Sequence, residues 1–211
     1  MKDKFYWKKL DKIVYDKLHD EKSGHDYSHV HRVFSNAMII AKSEKNVNYD
    51  ILKAACLLHD ITMINPKTHH IESSITAGEI LKDMKISKEN ILKIQHAIIN
   101  HNRNFSKETP LPKSKLSMEA QILIDADNID ALGSIGLVRM IQFSTRQGVP
   151  LFHSKNDKLD TTLYGNMKFM INISNKMLTK SGTKLAKSRI KVMNDFQKCL
   201  ADECKQSHFL T

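Results

Sequence analysis

Ile51-Leu52-Lys53-Ala54-Ala55-Cys56-Leu57-Leu58-His59-Asp60 is the stretch that decides the fold. Wound as a helix, it is apolar on almost every side, the pattern of a helix buried inside a bundle. Asn48 or Asp50 is placed to start it. It then ends on an imidazole and a carboxylate. A histidine at a helix C-terminus has an ordinary explanation, the negative end of the helix dipole. The aspartate beside it is harder to place. A carboxylate taken out of water costs several kcal/mol, about the scale of total stability, unless it is paired or bound to a metal.

Reading outward, helical periodicity recurs on both sides. Residues 4–20 repeat apolar positions at Leu10, Ile13, Val14 and Leu18, and Ser23-Gly24 stops them. Asp26 or Ser28 then caps a helix with the stripe Val30, Val33, Phe34, Ala37 and Ala41. After a turn at Asn65-Pro66, helices are expected near 70–84 and, capped by Ser87, over 88–100. Residues 102–116 carry two prolines and read as a loop. Helical pattern resumes at Ser117 and runs through Ile122, Leu123 and Ile124 towards Phe143. Residues 145–159 are irregular, and helices near 161–179 and 183–204 follow, divided by Ser181-Gly182. With 7 Gly and 4 Pro in 211 residues, backbone breakers are too few for a many-turned β protein. The expectation is an all-α, single-domain helical bundle spanning 1–211.

Composition narrows the function classes. No apolar run approaches the length that spans a bilayer. The charged start, Met1-Lys2-Asp3-Lys4, is unlike a signal peptide, so a cytoplasmic protein without membrane contact is expected. Three cysteines fit that compartment: Cys56 lies in an apolar run, and Cys199 and Cys204 lack metal-site or redox spacing. The net charge of +10 would draw anions. The lysines are scattered, however, and are not interleaved with aromatics as in a nucleic-acid groove. Lysines spread over solvated helix faces are therefore the favoured reading of this charge, which alone decides no ligand, and nucleic acid is not the expected partner.

Two further stretches bring chemistry into this helical pattern. Gly24-His25-Asp26-Tyr27-Ser28-His29-Val30-His31-Arg32-Val33 holds three histidines in seven positions. On a helical wheel His29 flanks the inward stripe near Val33, His31 points to the other side, and His25 precedes the helix. Ile122-Leu123-Ile124-Asp125-Ala126-Asp127-Asn128-Ile129-Asp130-Ala131-Leu132-Gly133 puts three aspartates on an apolar helix, and at least one must point inward. Geometry alone leaves Asp125, Asp127 and Asp130 open. Two imidazoles and two carboxylates from three helices would make a mixed N/O site. Such a site suits Mn²⁺, Mg²⁺, Fe²⁺ or Co²⁺ better than a closed structural Zn²⁺.

The order His29, His59-Asp60, Asp127 resembles the H…HD…D signature of the HD superfamily of metal-dependent phosphohydrolases. GHDYSHVHRV, AACLLHD and DADNIDALGSIG carry the likeness, over about residues 24–145 and loosely the C-terminal helices near 161–204. It implies a helical bundle around a divalent metal, Mn²⁺ or Mg²⁺ first, with Fe²⁺, Co²⁺, Ni²⁺ or Zn²⁺ as other occupants. The implied ligands are His29, His59, Asp60 and Asp127, and the choice among the three aspartates rests on this resemblance. Asn128 stands where many relatives have Arg. Binuclear members use further histidines between the HD pair and the last Asp; here His70, His96 and His101 fall in that interval. His70-Ile71-Glu72-Ser73-Ser74 resembles the H-x-E-x-S stretch of relatives and makes His70 and Glu72 the candidates for moving protons. The implied substrate is a nucleotide. A nucleoside triphosphate cut to monophosphate and pyrophosphate by activated water is the leading reaction, with a nucleotidase-like phosphomonoesterase or a cyclic-nucleotide phosphodiesterase as alternatives. The non-enzyme alternative is a basic nucleotide- or nucleic-acid-binding module with a vestigial metal site.

Overall fold

The computed structural model describes residues 5–22, 24–62, 65, 68–103, 111–151 and 162–206. Among these there are nine α-helices and no strand. In chain order they are α1 (Trp7–Leu18), α2 (Tyr27–Ala41), α3 (Tyr49–Leu58), α4 (His69–Asp83), α5 (Lys88–Asn100), α6 (Met118–Asp130), α7 (Gly133–Arg146), α8 (Leu163–Ile173) and α9 (Lys180–Gln206). None of the described helices is long and apolar enough to cross a membrane. Parts of the loops expected at 102–116 and 145–159 lie outside the described residues, as do Ser23, Pro66 and the side chain of Cys204. Cys56 and Cys199 are free thiols.

The chain groups into two compact units, Met1–Asp127 and Asn128–Thr211. In the first, α3 is the central element and packs against α1, α2, α4 and α5. Its start is set by Asn48, whose side-chain oxygen accepts the N–H groups of Asp50 and Ile51 at 3.1 and 3.2 Å. From Ile51 to Asp60 every residue is buried except Lys53. Lys53 is half-buried, with its ammonium over the rings of Trp7 and Phe34 at 4.5 and 5.4 Å. Asp26 and Ser87 cap α2 and α5, and Ser117 accepts the Ala120 N–H at the start of α6. Leu10, Val14, Val33, Ile40, Leu81, Ile94, Ile98, Ile122 and Leu123 complete this core.

In the second unit α7, α8 and α9 pack on one another. Two boundaries differ from the sequence reading. The helical pattern expected from Ser117 towards Phe143 is broken after Asp130, and α7 starts afresh at Gly133, which takes φ +75°. Ser181-Gly182 does not divide helices but lies in the first turn of α9. Thr179 caps that turn by accepting the Gly182 N–H at 2.9 Å.

Candidate metal centre

Three local arrangements in the first unit aim ionisable groups at one point. Asp26 accepts the His29 N–H at 2.8 Å, which fixes the first turn of α2 and seats His29 on its buried face. α3 stops at Leu58, and His59 folds its ring back so that Nδ1–H donates to the Cys56 carbonyl at 2.8 Å. α5 ends with the same arrangement: His101 donates Nδ1–H to the Ile98 carbonyl at 2.6 Å. A carbonyl can only accept, so in both neutral rings the lone pair sits on Nε2.

Those lone pairs face a carboxylate. Asp60 is fully buried, and its Oδ2 lies 3.4 Å from Nε2 of both His29 and His59. Its Oδ1 lies 3.3 Å from His101 Nε2 and 3.5 Å from His69 Nε2, without accepting a hydrogen bond. The ring nitrogens also face each other, at 3.3 Å for His29–His59 and 3.2 Å for His69–His101. Asp127 reaches in from α6, its Oδ1 3.4 Å from His29 Nε2 and 4.0 Å from His59 Nε2. Asp60 thus stands between two sets of imidazoles.

The electrostatics explain what such a cluster can hold. Burial lowers the pKa of His59 to about 4 despite the nearby carboxylates, so the ring is neutral at neutral pH. Burial alone would raise Asp60, but the surrounding imidazoles, His59 and His25 foremost, hold it well below the usual carboxylate range. For His101 burial opposes the charged form, and the Asp60 carboxylate facing Nε2 outweighs it and raises the pKa. Burial likewise pushes the Cys56 thiol up, leaving it a packing residue. An ionised carboxylate facing imidazole lone pairs in a dry site is the donor arrangement that a divalent cation relieves. Among the described residues, three groups have ligand atoms within 4.8 Å of one another: His29, His59 and Asp127; His25, His29 and Asp60; Asp60, His69 and His101.

The four residues expected as ligands are therefore brought together. His70 is buried beside them, its ring centroid 5.7 Å from His69 and 6.4 Å from His101. Glu72 accepts the Thr68 hydroxyl at 2.7 Å on Oε1, while its Oε2 is buried without a hydrogen bond. His96 instead accepts the Ser117 N–H at 3.5 Å. Asp125 and Asn128 are buried, and in the second unit Asp130 pairs with Arg139 at 2.8 Å. Sequence reasoning gave no role to two members of the cluster, His25 and His69. The histidine excess of GHDYSH was the signal for the first. The adjacent pair His69-His70 was the signal for the second.

Comparison with known proteins identifies relatives of this chain. Bacillus subtilis (strain 168) YpgQ is 33% identical over 136 residues, 64% of each chain. The 3'-5' exoribonuclease YhaM of the same organism is 29% identical over 128 residues, 54% of this chain and 40% of that one. The matched stretches thus span under two thirds of these relatives' lengths. Among solved structures, B. subtilis YpgQ in complex with ADP has a TM-score of 0.74 at 24% identity, covering 93% of each chain. An HD-superfamily hydrolase from Bacillus thuringiensis has a TM-score of 0.73 at 23% identity, covering 94% of this chain and 96% of that one. Both share the fold. The HD domain family model matches residues 26–132, half of the chain, a stretch that contains His29, His59, Asp60 and Asp127; the chain belongs to the HD-domain family.

Proposed function

We propose that the chain is a divalent-metal-dependent phosphohydrolase of nucleotides, with His29, His59, Asp60 and Asp127 holding the metal. The observation that carries this reading is the buried Asp60 carboxylate facing imidazole lone pairs that backbone carbonyls hold in place. A divalent cation bound there lowers the pKa of water towards neutrality and draws charge from a phosphoryl oxygen. Imidazole donors favour Mn²⁺ over Mg²⁺ as the occupant.

The chain's own groups supply the proton transfers. Glu72 is three residues after His69 on α4, so the two share a helix face. The Thr68 hydroxyl fixes one of its oxygens and leaves the other to take a proton from attacking water. His70 is assigned to deliver a proton to the leaving oxygen. Glu72→Gln is expected to lower kcat by about 10²–10⁴-fold, the usual worth of a general base. Metal uptake by that variant should stay at the wild-type level. A variant that keeps full kcat removes Glu72 from the mechanism.

A nucleotide substrate is supported by the ADP complex of YpgQ and by the +10 net charge, which favours polyphosphates. For a nucleoside triphosphate, water adds to the α-phosphorus, the α–β bridging P–O bond breaks, and pyrophosphate leaves with the electron pair. Chromatography of products from a nucleotide panel incubated with Mn²⁺ tests this. The expected products are monophosphate and pyrophosphate. Orthophosphate from monophosphates, with triphosphates untouched, would move the reading to a nucleotidase. Inactivity on every nucleotide by metal-loaded protein would overturn the nucleotide assignment.

A further inference from the structure

One residue of the cluster contacts Asp60 in a different way from the rest. His25 lies in the connection between α1 and α2, not on a helix, and its Nδ1 is 2.6 Å from Asp60 Oδ2. This is a charge-assisted hydrogen-bond distance, so the proton lies between the two atoms and Nδ1–H donates. The other imidazoles meet Asp60 at 3.3–3.5 Å through Nε2. His25 is also the open edge of the cluster, with 31% of its side chain exposed, whereas His29, His59, His69 and His101 are buried.

The local backbone is arranged to deliver this ring. Gly24 takes φ +100°, a conformation costly for any residue with a Cβ, and turns the chain just before His25. Glu21 Oε2 accepts the His25 backbone N–H at 3.1 Å. Immediately after, Asp26 begins α2 as its cap. The ring then stands edge-on to His29, with centroids 5.2 Å apart. Three consecutive residues therefore turn the chain, hold Asp60 and seat His29.

We infer that His25 is a positioning residue for the metal centre: its Nδ1–H fixes the plane of the Asp60 carboxylate. Oδ2 is thereby directed to His29 and His59, and Oδ1 to His69 and His101. The inference rests on the metal reading given above. Among the described residues His25 makes the shortest contact with this carboxylate, 2.6 Å against 3.3–3.5 Å for the other imidazoles, and is therefore the donor placed to set its rotation about χ2. In this role the ring is not itself a ligand, since the nitrogen nearest the site carries the hydrogen.

Three substitutions test this, with Mn²⁺ affinity read by competition against a chelating indicator and kcat and KM read separately. His25→Ala removes the donor and should weaken Mn²⁺ binding by about 10–100-fold, the usual cost of losing an outer-shell partner. His25→Asn places an amide N–H as many bonds from Cα as Nδ1 is, and should restore affinity to within about 3-fold of wild type. His25→Gln places its amide one bond further out and should behave like His25→Ala. At saturating Mn²⁺ the alanine variant should lose kcat with little change in KM. Wild-type affinity in His25→Ala, or no rescue by His25→Asn, would overturn the inference while leaving the metal reading intact. A wild type that takes up no metal would overturn both.

Discussion

Asp60→Ala is expected to abolish stoichiometric metal binding, weakening it by more than about 100-fold, beyond the cost of losing an outer partner. Hydrolysis should fall at least as far. Asp60 stands apart from the other candidates because both of its oxygens are committed: Oδ2 faces His25, His29 and His59, and Oδ1 faces His69 and His101. Removing it takes the negative charge from the centre of five imidazoles. Asp127 sits at the edge, 17% exposed, and among the described residues its carboxylate comes within 4.0 Å of the ring nitrogens of His29 and His59. Asp127→Ala should therefore weaken binding less than Asp60→Ala does. Metal analysis after dialysis, with isothermal titration of Mn²⁺, gives the order. Equal occupancy in wild type and Asp60→Ala would exclude Asp60 as a ligand. Stripping metal from the wild type with a chelator should lower its Tm, because a ligand bound only to the native state stabilises it. Asp60→Ala should show no such chelator effect.

How much of this site could be read from sequence depended on helix phase. α3 was legible from end to end, since an all-round apolar helix needs no choice of face and Asn48 marks its start. His59 and Asp60 follow from where it stops. α6 was legible as a helix but not as a set of roles. Asp125, Asp127 and Asp130 point in three directions, and which one meets His29 depends on how the helix is rotated in the bundle. Asp130 illustrates the difficulty: it is as buried as a ligand would be, but its partner is Arg139, nine residues away. Likewise His69 and His70 differ by about 100° around α4. The side chain that reaches Asp60 belongs to His69, while the resemblance directed attention to His70. Adjacent histidines cannot be ranked until the first residue of the helix is known. His25 was hidden for another reason: it belongs to no periodic element, and only the positive φ of Gly24 carries it to the site.

The break between α6 and α7 was hidden by the same limit, and it underlies the second large effect expected. Gly136→Ala should destabilise the protein by roughly 3 kcal/mol or more, the upper range for forcing an extra methyl into a packed site. A Cβ at this position would collide with the carbonyl carbon and oxygen of Ala131. Those are backbone atoms, held in the turn after Asp130 by Ala131 N–H to Asn128 O at 3.2 Å and Leu132 N–H to Ile129 O at 3.0 Å. Neither can move without opening the turn, and Gly133, at φ +75° with Arg189 Cβ 3.3 Å from where its own Cβ would lie, leaves little slack beside it. Gly78→Ala in α4 is the control. There the added methyl meets the end of the Gln95 side chain, which can swing away at the loss of its 2.9 Å hydrogen bond to Ser74 O. That loss of about 1 kcal/mol is offset by the roughly 1 kcal/mol that Ala gains over Gly inside a helix. Thermal melts of the two variants should then separate clearly. At about 2–4 °C per kcal/mol for a chain of this size, Gly136→Ala should fall by about 6–12 °C or fail to accumulate. Gly78→Ala should stay within about 3 °C of wild type. If both variants melt alike, the turn after Asp130 is not the rigid element that its hydrogen bonds make it.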